Sequence, residues 1–194
     1  MDWEFPMSEQ LTIATNMHSV KVLDKHCMID LETLGSNPKA PVVQIGLVFF
    51  TVQGITLQSQ LTINFDDALK HGEADGSTIK WWLEQPKDAQ NTLFVNPLPI
   101  LEAASIFDKL VEAQNANFYW AHATFDFPIL LSMFRALNKK YPLPYKRCYD
   151  LRTLEYISGP IEWDKREGTH HNALDDAVYQ AKHAIKLLNK IGRG

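Results

Sequence analysis

Between Cys27 and Asn64 the chain carries three consecutive strand patterns with no helical period between them. Cys27-Met28-Ile29 is an apolar run ending in Asp30-Leu31-Glu32, the pattern of a buried strand. Val42 to Phe50 is β-branched and aromatic, a second strand. Thr56 to Asn64 alternates Leu57, Ser59, Leu61 and Ile63 with Gln58, Gln60, Thr62 and Asn64, which predicts a third strand with one wet face. The turn cluster Gly35-Ser36-Asn37-Pro38 separates the first two. Three strands with short connections predict an antiparallel meander, against which the rest of the chain must pack.

Beyond residue 76 the chain alternates helix and strand. Ser77-Thr78 predicts the cap of a helix holding Trp81, Trp82 and Leu83 and ending at Pro86. A second helix is expected over 99–114, with Pro99 where a first turn tolerates it. Phe118 to Ala121 reads as a short buried strand, 127–138 as a helix, and 147–151 as a strand running into a short helix. A long final helix is expected over 172–191, with Ala177, Ala181 and Ala184 on about one face for close packing. The order βββ-α-β-α-β-α predicts an α/β fold: a mixed five-stranded sheet, three antiparallel strands then two parallel, flanked by helices. A length of 194 residues suits one domain. Residues 1–22 show no sustained period and read as an N-terminal extension, with 23–194 as the domain.

Composition excludes several functions. Lys and Arg number 19 against 23 Asp and Glu, a net charge of -4, which excludes a wrapper binding nucleic acid by bulk positive charge but leaves a nucleic-acid enzyme open. The two cysteines, Cys27 and Cys148, form no CxxC and suggest a reducing compartment, so a cytoplasmic protein is expected. The acidic start, Met1 to Pro6, has no apolar segment of the signal-peptide kind. No apolar run approaches the roughly 20 residues of a membrane span, and no membrane partner is expected.

Three segments can carry chemistry. Asp30 and Glu32, two apart on a strand, project to one face and repel unless a cation lies between them; a solvated strand end explains the same triplet. Asp126 shares a helical line with Leu130, Met133 and Leu137, so it opens a core-facing stripe. The competing role is a cap on its own helix, and both hold together only if the carboxylate turns away from that helix. The third segment is His170-His171-Asn172-Ala173-Leu174-Asp175-Asp176. Asn172 is a good N-cap, which gives Asp175 work in the first turn and leaves Asp176 free.

Taken in order, Met28-Ile29-Asp30-Leu31-Glu32-Thr33, Trp120-Ala121-His122-Ala123-Thr124-Phe125-Asp126 and His171-Asn172-Ala173-Leu174-Asp175-Asp176-Ala177 resemble the three exonuclease motifs of the DEDDh, or proofreading-exonuclease-like, superfamily. The resemblance spans about residues 25–190. Asp30 to Gly35, Ala40 to Gly46, Trp81-Trp82 and Tyr149 to Leu154 are similar to the bacterial and phage branch, which includes mycobacterial-type exoribonucleases and exodeoxyribonuclease VIII-like proteins. His122 stands where many members have Asn, and residues 1–22 have no counterpart.

The resemblance implies an RNase H-like fold and a 3′–5′ exonuclease that releases nucleoside 5′-monophosphates from single-stranded DNA or RNA. It implies two Mg²⁺ or Mn²⁺ ions held by Asp30, Glu32, Asp126 and Asp176, with His171 as general base toward the attacking water. The oxygen-only donor set suits those ions and not a structural zinc. An imidazole with its ordinary pKa of about 6.5 suits the base. Setting the four carboxylates aside leaves the rest of the chain neutral. Substrate contacts are implied for Leu31, Thr33 and Leu34 beside the first motif and for His122 and Phe125 beside the second. Phe125 suits stacking on a terminal base and equally a place in the core. Trp81 and Trp82 read as core, and Lys165, Arg166 and Gly168 as a solvated loop, with phosphate contact the alternative. The expected partner is single-stranded nucleic acid, with room for a homodimer.

Other readings keep a place. A catalytically silent nucleic-acid- or partner-binding module could use the same scaffold. An RNase H or transposase-type endonuclease would explain the carboxylates but gives His171 no role. An HD-type phosphohydrolase needs a His-Asp dipeptide, which the chain lacks, and a tyrosine-base relative would carry Tyr where Asn172 stands.

Overall fold

The first three strands form the expected meander: β1 (His26–Thr33) pairs antiparallel with β2 (Val42–Thr51), and β2 with β3 (Gly54–Thr62). The computed structural model describes residues 23–192, so the N-terminal extension expected over 1–22 lies outside the described residues. Helices α1 (Phe65–Lys70), α2 (Gly76–Glu84), α3 (Lys87–Thr92) and α4 (Ile100–Gln114) come next. They lead to β4 (Phe118–Ala121), α5 (Asp126–Ala136), β5 (Cys148–Asp150), α6 (Leu151–Ser158) and α7 (Ala173–Lys190). The sheet order is β3-β2-β1-β4-β5, with β4 parallel to both β1 and β5. This is the mixed five-stranded sheet that the pattern predicts.

Two local expectations need correction. Helix α2 is capped by Asp75, whose side chain accepts the Thr78 N–H at 2.7 Å, and not by Ser77 or Thr78. The short helices α1 and α3 have no signal in the sequence pattern, because six residues span too few turns to show a period.

Strand alternation divides the core. Cys27, Ile29 and Leu31 of β1 pack on one side with residues of α4 and α5, among them Phe107, Leu130 and Phe134. Met28 faces the other way, with Val48, Phe50, Trp120 and the alanines of α7. Asp30 and Glu32 continue the Met28 register, so the β1 carboxylates are delivered to the α7 side. Ala177, Ala181 and Ala184 are fully buried, and their small side chains let α7 lie close to the sheet.

The start of α7 is fixed by β2. Gln44 donates through Nε2 to the Thr92 carbonyl at 2.7 Å and accepts the Ala173 N–H at 3.3 Å. Two residues on, Gly46 meets the backbone of Ala173 and Leu174 so closely that a Cβ would penetrate the Ala173 carbonyl. Gly46→Ala must therefore push α7 off the sheet, since backbone cannot rotate aside as a side chain can. We expect a loss of about 2–3 kcal/mol in urea denaturation, the range for overpacking a tight core. An unchanged midpoint would show that this contact has slack.

No helix among the described residues is long and apolar enough to cross a membrane.

Candidate active site

Asp30 and Glu32 leave β1 on one face and Asp176 projects from the first turn of α7. One carboxylate oxygen from each of the three lies within 4.8 Å of the others, close enough to hold a metal ion together. Asp30 and Glu32 are only 8% and 7% exposed, and Asp126 2%, which makes their mutual repulsion hard to screen.

Asp126 reaches the same cluster from the first residue of α5. The N-cap of that helix is Phe125, which makes no side-chain capping bond. The Asp126 carboxylate instead turns back, accepting the His122 N–H at 2.9 Å, with a further bond from the Leu31 backbone. The side chain therefore points back toward His122 and does not cap the following turn of α5.

The protonation equilibria register the crowding. Burial, then the charges of Asp126 and Glu32, hold Asp30 well above the ordinary carboxylate range. Burial and then Asp126 push Glu32 up to about 8. Burial pushes Asp126 up to about 7 against the backbone bonds that favour its charge. Among the described residues, the one side-chain hydrogen bond acting on Asp30 comes from Gln180, whose Nε2 lies 2.7 Å from Oδ1. Sequence reasoning misses Gln180, and the one signal that could find it is a polar residue four positions after Asp176 among the packing alanines.

The loop into α7 places the histidines. Asn172 caps α7 by accepting the Asp175 N–H at 3.1 Å, and Asp175 accepts the Thr169 N–H at 2.7 Å. Asp175 is thereby occupied and Asp176 is free to face the cluster, as the spacing predicts. Gly168, at φ +81°, lies against the Asp175 side chain, where a Cβ has no room. His171 itself adopts the left-handed region at φ 64°, uncommon outside glycine. Its ring stacks on His170 at 3.8 Å and meets the edge of Trp81 at 4.6 Å between centroids. A nitrogen each of His170 and His171 lies within 4.8 Å of an Asp176 oxygen. Burial, then His170 and Arg166, lower the His171 pKa to about 4, below the ordinary value expected from sequence. The imidazole is uncharged near neutrality and has a free lone pair, but at this value it is a weaker proton acceptor than the ordinary imidazole expected from sequence.

The remaining expected positions divide. Leu31, Thr33 and Leu34 are buried, and the Thr33 hydroxyl donates to the Gly35 carbonyl at 2.6 Å, so their main chain is what they can present. Phe125 is partly buried against the core, and His122 is half-buried. Trp82 is core and donates to the Thr33 carbonyl at 2.9 Å, whereas Trp81 turns toward His171. Asp150 caps α6 through the Arg152 and Thr153 amides. Arg166, expected in a solvated loop, instead donates to Asp176 Oδ1.

The donor set tests well against divalent magnesium or manganese. Asp30, Glu32 and Asp176 offer hard oxygen, no thiolate stands among them, and a bound cation would favour their ionised forms. Asp30, Glu32 and Asp176 could hold such an ion together.

A family model described as a 3′–5′ exoribonuclease Rv2179c-like domain matches residues 25–188. An exodeoxyribonuclease of Enterobacteria phage T4 is 25% identical over 128 residues, covering 58% of this chain. That match spans 56% of the phage protein, little more than half its length. Among solved structures, the nuclease domain of 3′hExo, a DEDDh family member bound to rAMP, superposes with a TM-score of 0.63 at 13% identity, over 87% of this chain and 94% of that one. Cell-death related nuclease 4 gives a TM-score of 0.61 at 13% identity, over 86% and 64% of the two chains. At such identity these structures establish a shared fold.

Proposed function

The chain belongs to the 3′–5′ exoribonuclease Rv2179c-like domain family of nucleases, and on that premise we propose that it hydrolyses single-stranded nucleic acid stepwise from the 3′ end, using two divalent cations. The observation that carries this reading is the convergence of Asp30, Glu32 and Asp176 from β1 and α7, with His171 beside Asp176 and with Asp126 near enough for its charge to act on Asp30 and Glu32. A single sheet with a core on each side supports residues 23–194 as one exonuclease domain.

Bound cations would supply Lewis-acid neutralisation of the phosphate charge and orient the oxygens of an in-line displacement. The chain's own residues do the rest. His171 accepts the proton of the attacking water, and burial keeps it neutral until it does so. His170 and Trp81 bracket the ring and limit its rotation. Gln180 holds the Asp30 carboxylate in register, and the His122 amide holds Asp126. A half-exposed Trp81 and the partly buried Phe125 stand at hand for unpaired bases, which stack on aromatic faces regardless of sequence. The family description names RNA and the phage relative DNA, so both belong in the assay.

The test uses 5′-labelled RNA and DNA oligomers with Mg²⁺, Mn²⁺ or EDTA. A ladder shortening one nucleotide at a time, abolished by EDTA, supports the proposal. Immediate release of labelled mononucleotide would reverse the direction, internal fragments would indicate an endonuclease, and binding without cleavage would indicate a silent module. His171→Ala should lower kcat by about 10²- to 10³-fold, the usual worth of a general base. Its Mn²⁺ affinity by calorimetry should stay near that of the parent. A large loss of affinity would make His171 a ligand instead.

A further inference from the structure

The segment between α6 and α7 is strapped along one face of α7. Trp163 stacks on His183 at 3.7 Å and on Tyr179 at 4.7 Å between centroids. Tyr179 donates its hydroxyl to the Asp164 carbonyl at 3.2 Å, Lys186 pairs with the Asp164 carboxylate at 2.6 Å, and Lys182 pairs with Glu167 at 2.7 Å. Positions 179, 182, 183 and 186 recur at helical spacing, so the strap runs along a single stripe of the helix. It ends by laying Arg166 over the Tyr179 ring, 4.8 Å from its centroid, and onto Asp176 Oδ1.

Resting on the cation reading above, we infer that Arg166 is a built-in counter-cation that competes with divalent metal for Asp176 and is displaced when metal binds. Its positive charge also acts on Asp30 and Glu32. An oxygen that accepts a guanidinium N–H presents that much less charge to an ion, and the guanidinium repels the ion directly. The hold is also easy to release. Only one of the fork's nitrogens engages Asp176, and Nε is buried without a hydrogen-bond partner among the described residues. The Arg166 side chain is 31% exposed, so it has a way out toward solvent while the other strap contacts stay in place. Arg166 is thus a positioning residue: it steadies the carboxylates and sets the cation concentration at which the site fills.

The experiment is isothermal titration of Mn²⁺ into wild type, Arg166→Gln and Arg166→Lys, with thermal melts of each in EDTA. Arg166→Gln should bind Mn²⁺ about tenfold more tightly and melt at lower temperature in EDTA, because the carboxylates lose their internal partner. Arg166→Lys keeps the charge without the planar fork and should fall between the two in both measurements. A purely structural residue would lower the melting temperature and the affinity together. Equal or weaker Mn²⁺ binding by Arg166→Gln, with wild type binding normally, overturns the role of Arg166 and leaves the cation site standing. Absence of Mn²⁺ binding by wild type removes both.

Discussion

Asp30→Asn is expected to abolish nucleotide release while making the protein harder to melt in EDTA. Asparagine is nearly isosteric with aspartate, and its Oδ1 can still accept from Gln180 Nε2. The substitution replaces a group whose charged form is disfavoured first by burial and then by Asp126 and Glu32. Two like charges about 5–6 Å apart at an effective dielectric of about 20 repel by roughly 3 kcal/mol. Asparagine has no such penalty to carry, so the melting temperature in EDTA at pH 8 should rise by several degrees. The same change removes a carboxylate from the oxygen trio that would hold the cations. Cation charge stabilisation is worth several kcal/mol of barrier, so a rate loss of about 10⁴-fold is expected. Opposite signs in activity and stability are the signature of a group kept for chemistry. A variant that melts lower and still degrades oligomers would show that Asp30 serves the fold alone.

Stability without divalent cations should fall as pH rises from about 6.5 to about 8; below that window the depressed pKa values of His26 and His171 act in the opposite direction. Glu32 rises from 4.5 to about 8 through burial and then Asp126, and Asp126 from 3.8 to about 7 through burial. Between the unfolded and folded pKa values the folded chain keeps protons that the unfolded chain releases, so the slope of unfolding free energy with pH is negative. The carboxylate penalty is offset up to about pH 6.5 by His26 and His171, which stay uncharged in the folded chain while the unfolded chain protonates them, and it is complete above about pH 8. Each pKa unit is worth about 1.4 kcal/mol, and because the carboxylates titrate together the fall between pH 6.5 and pH 8 is on the order of 2 kcal/mol. Millimolar Mn²⁺ or Mg²⁺ binds the ionised form and should flatten the profile. Urea denaturation at pH 6.5 and pH 8, with EDTA or with Mn²⁺, reads both effects. Equal midpoints at the two pH values in EDTA would contradict the clustering of buried charge.

Most of the architecture is legible without any tertiary contact. β1, β2, β4, α4 and α7 arise from runs and periods in contiguous sequence, within two residues of their observed ends. The capping of α7 by Asn172, which frees Asp176, comes from spacing alone. Less can be read where a residue's role depends on a distant partner. From sequence Asp126 is open between cap and ligand, because only the His122 turn and the nearby Leu31 backbone show which way it points. Trp81 and Trp82 are chemically identical neighbours, yet one meets His171 and the other fills the core.

Hydrophobic period and turn chemistry are local, so the primary sequence determined the strands, the long helices, the face from which Asp30 and Glu32 emerge, and the order of the three acidic motifs. Pairwise electrostatics and close packing are not local. Only the folded chain decided that Gln180 grips Asp30, that Arg166 rests on Asp176, that Gly46 must admit the backbone of Ala173, and that His171 is neutral. Those facts depend on separations of a few ångströms between residues up to 150 positions apart, a distance in sequence over which no periodicity carries information.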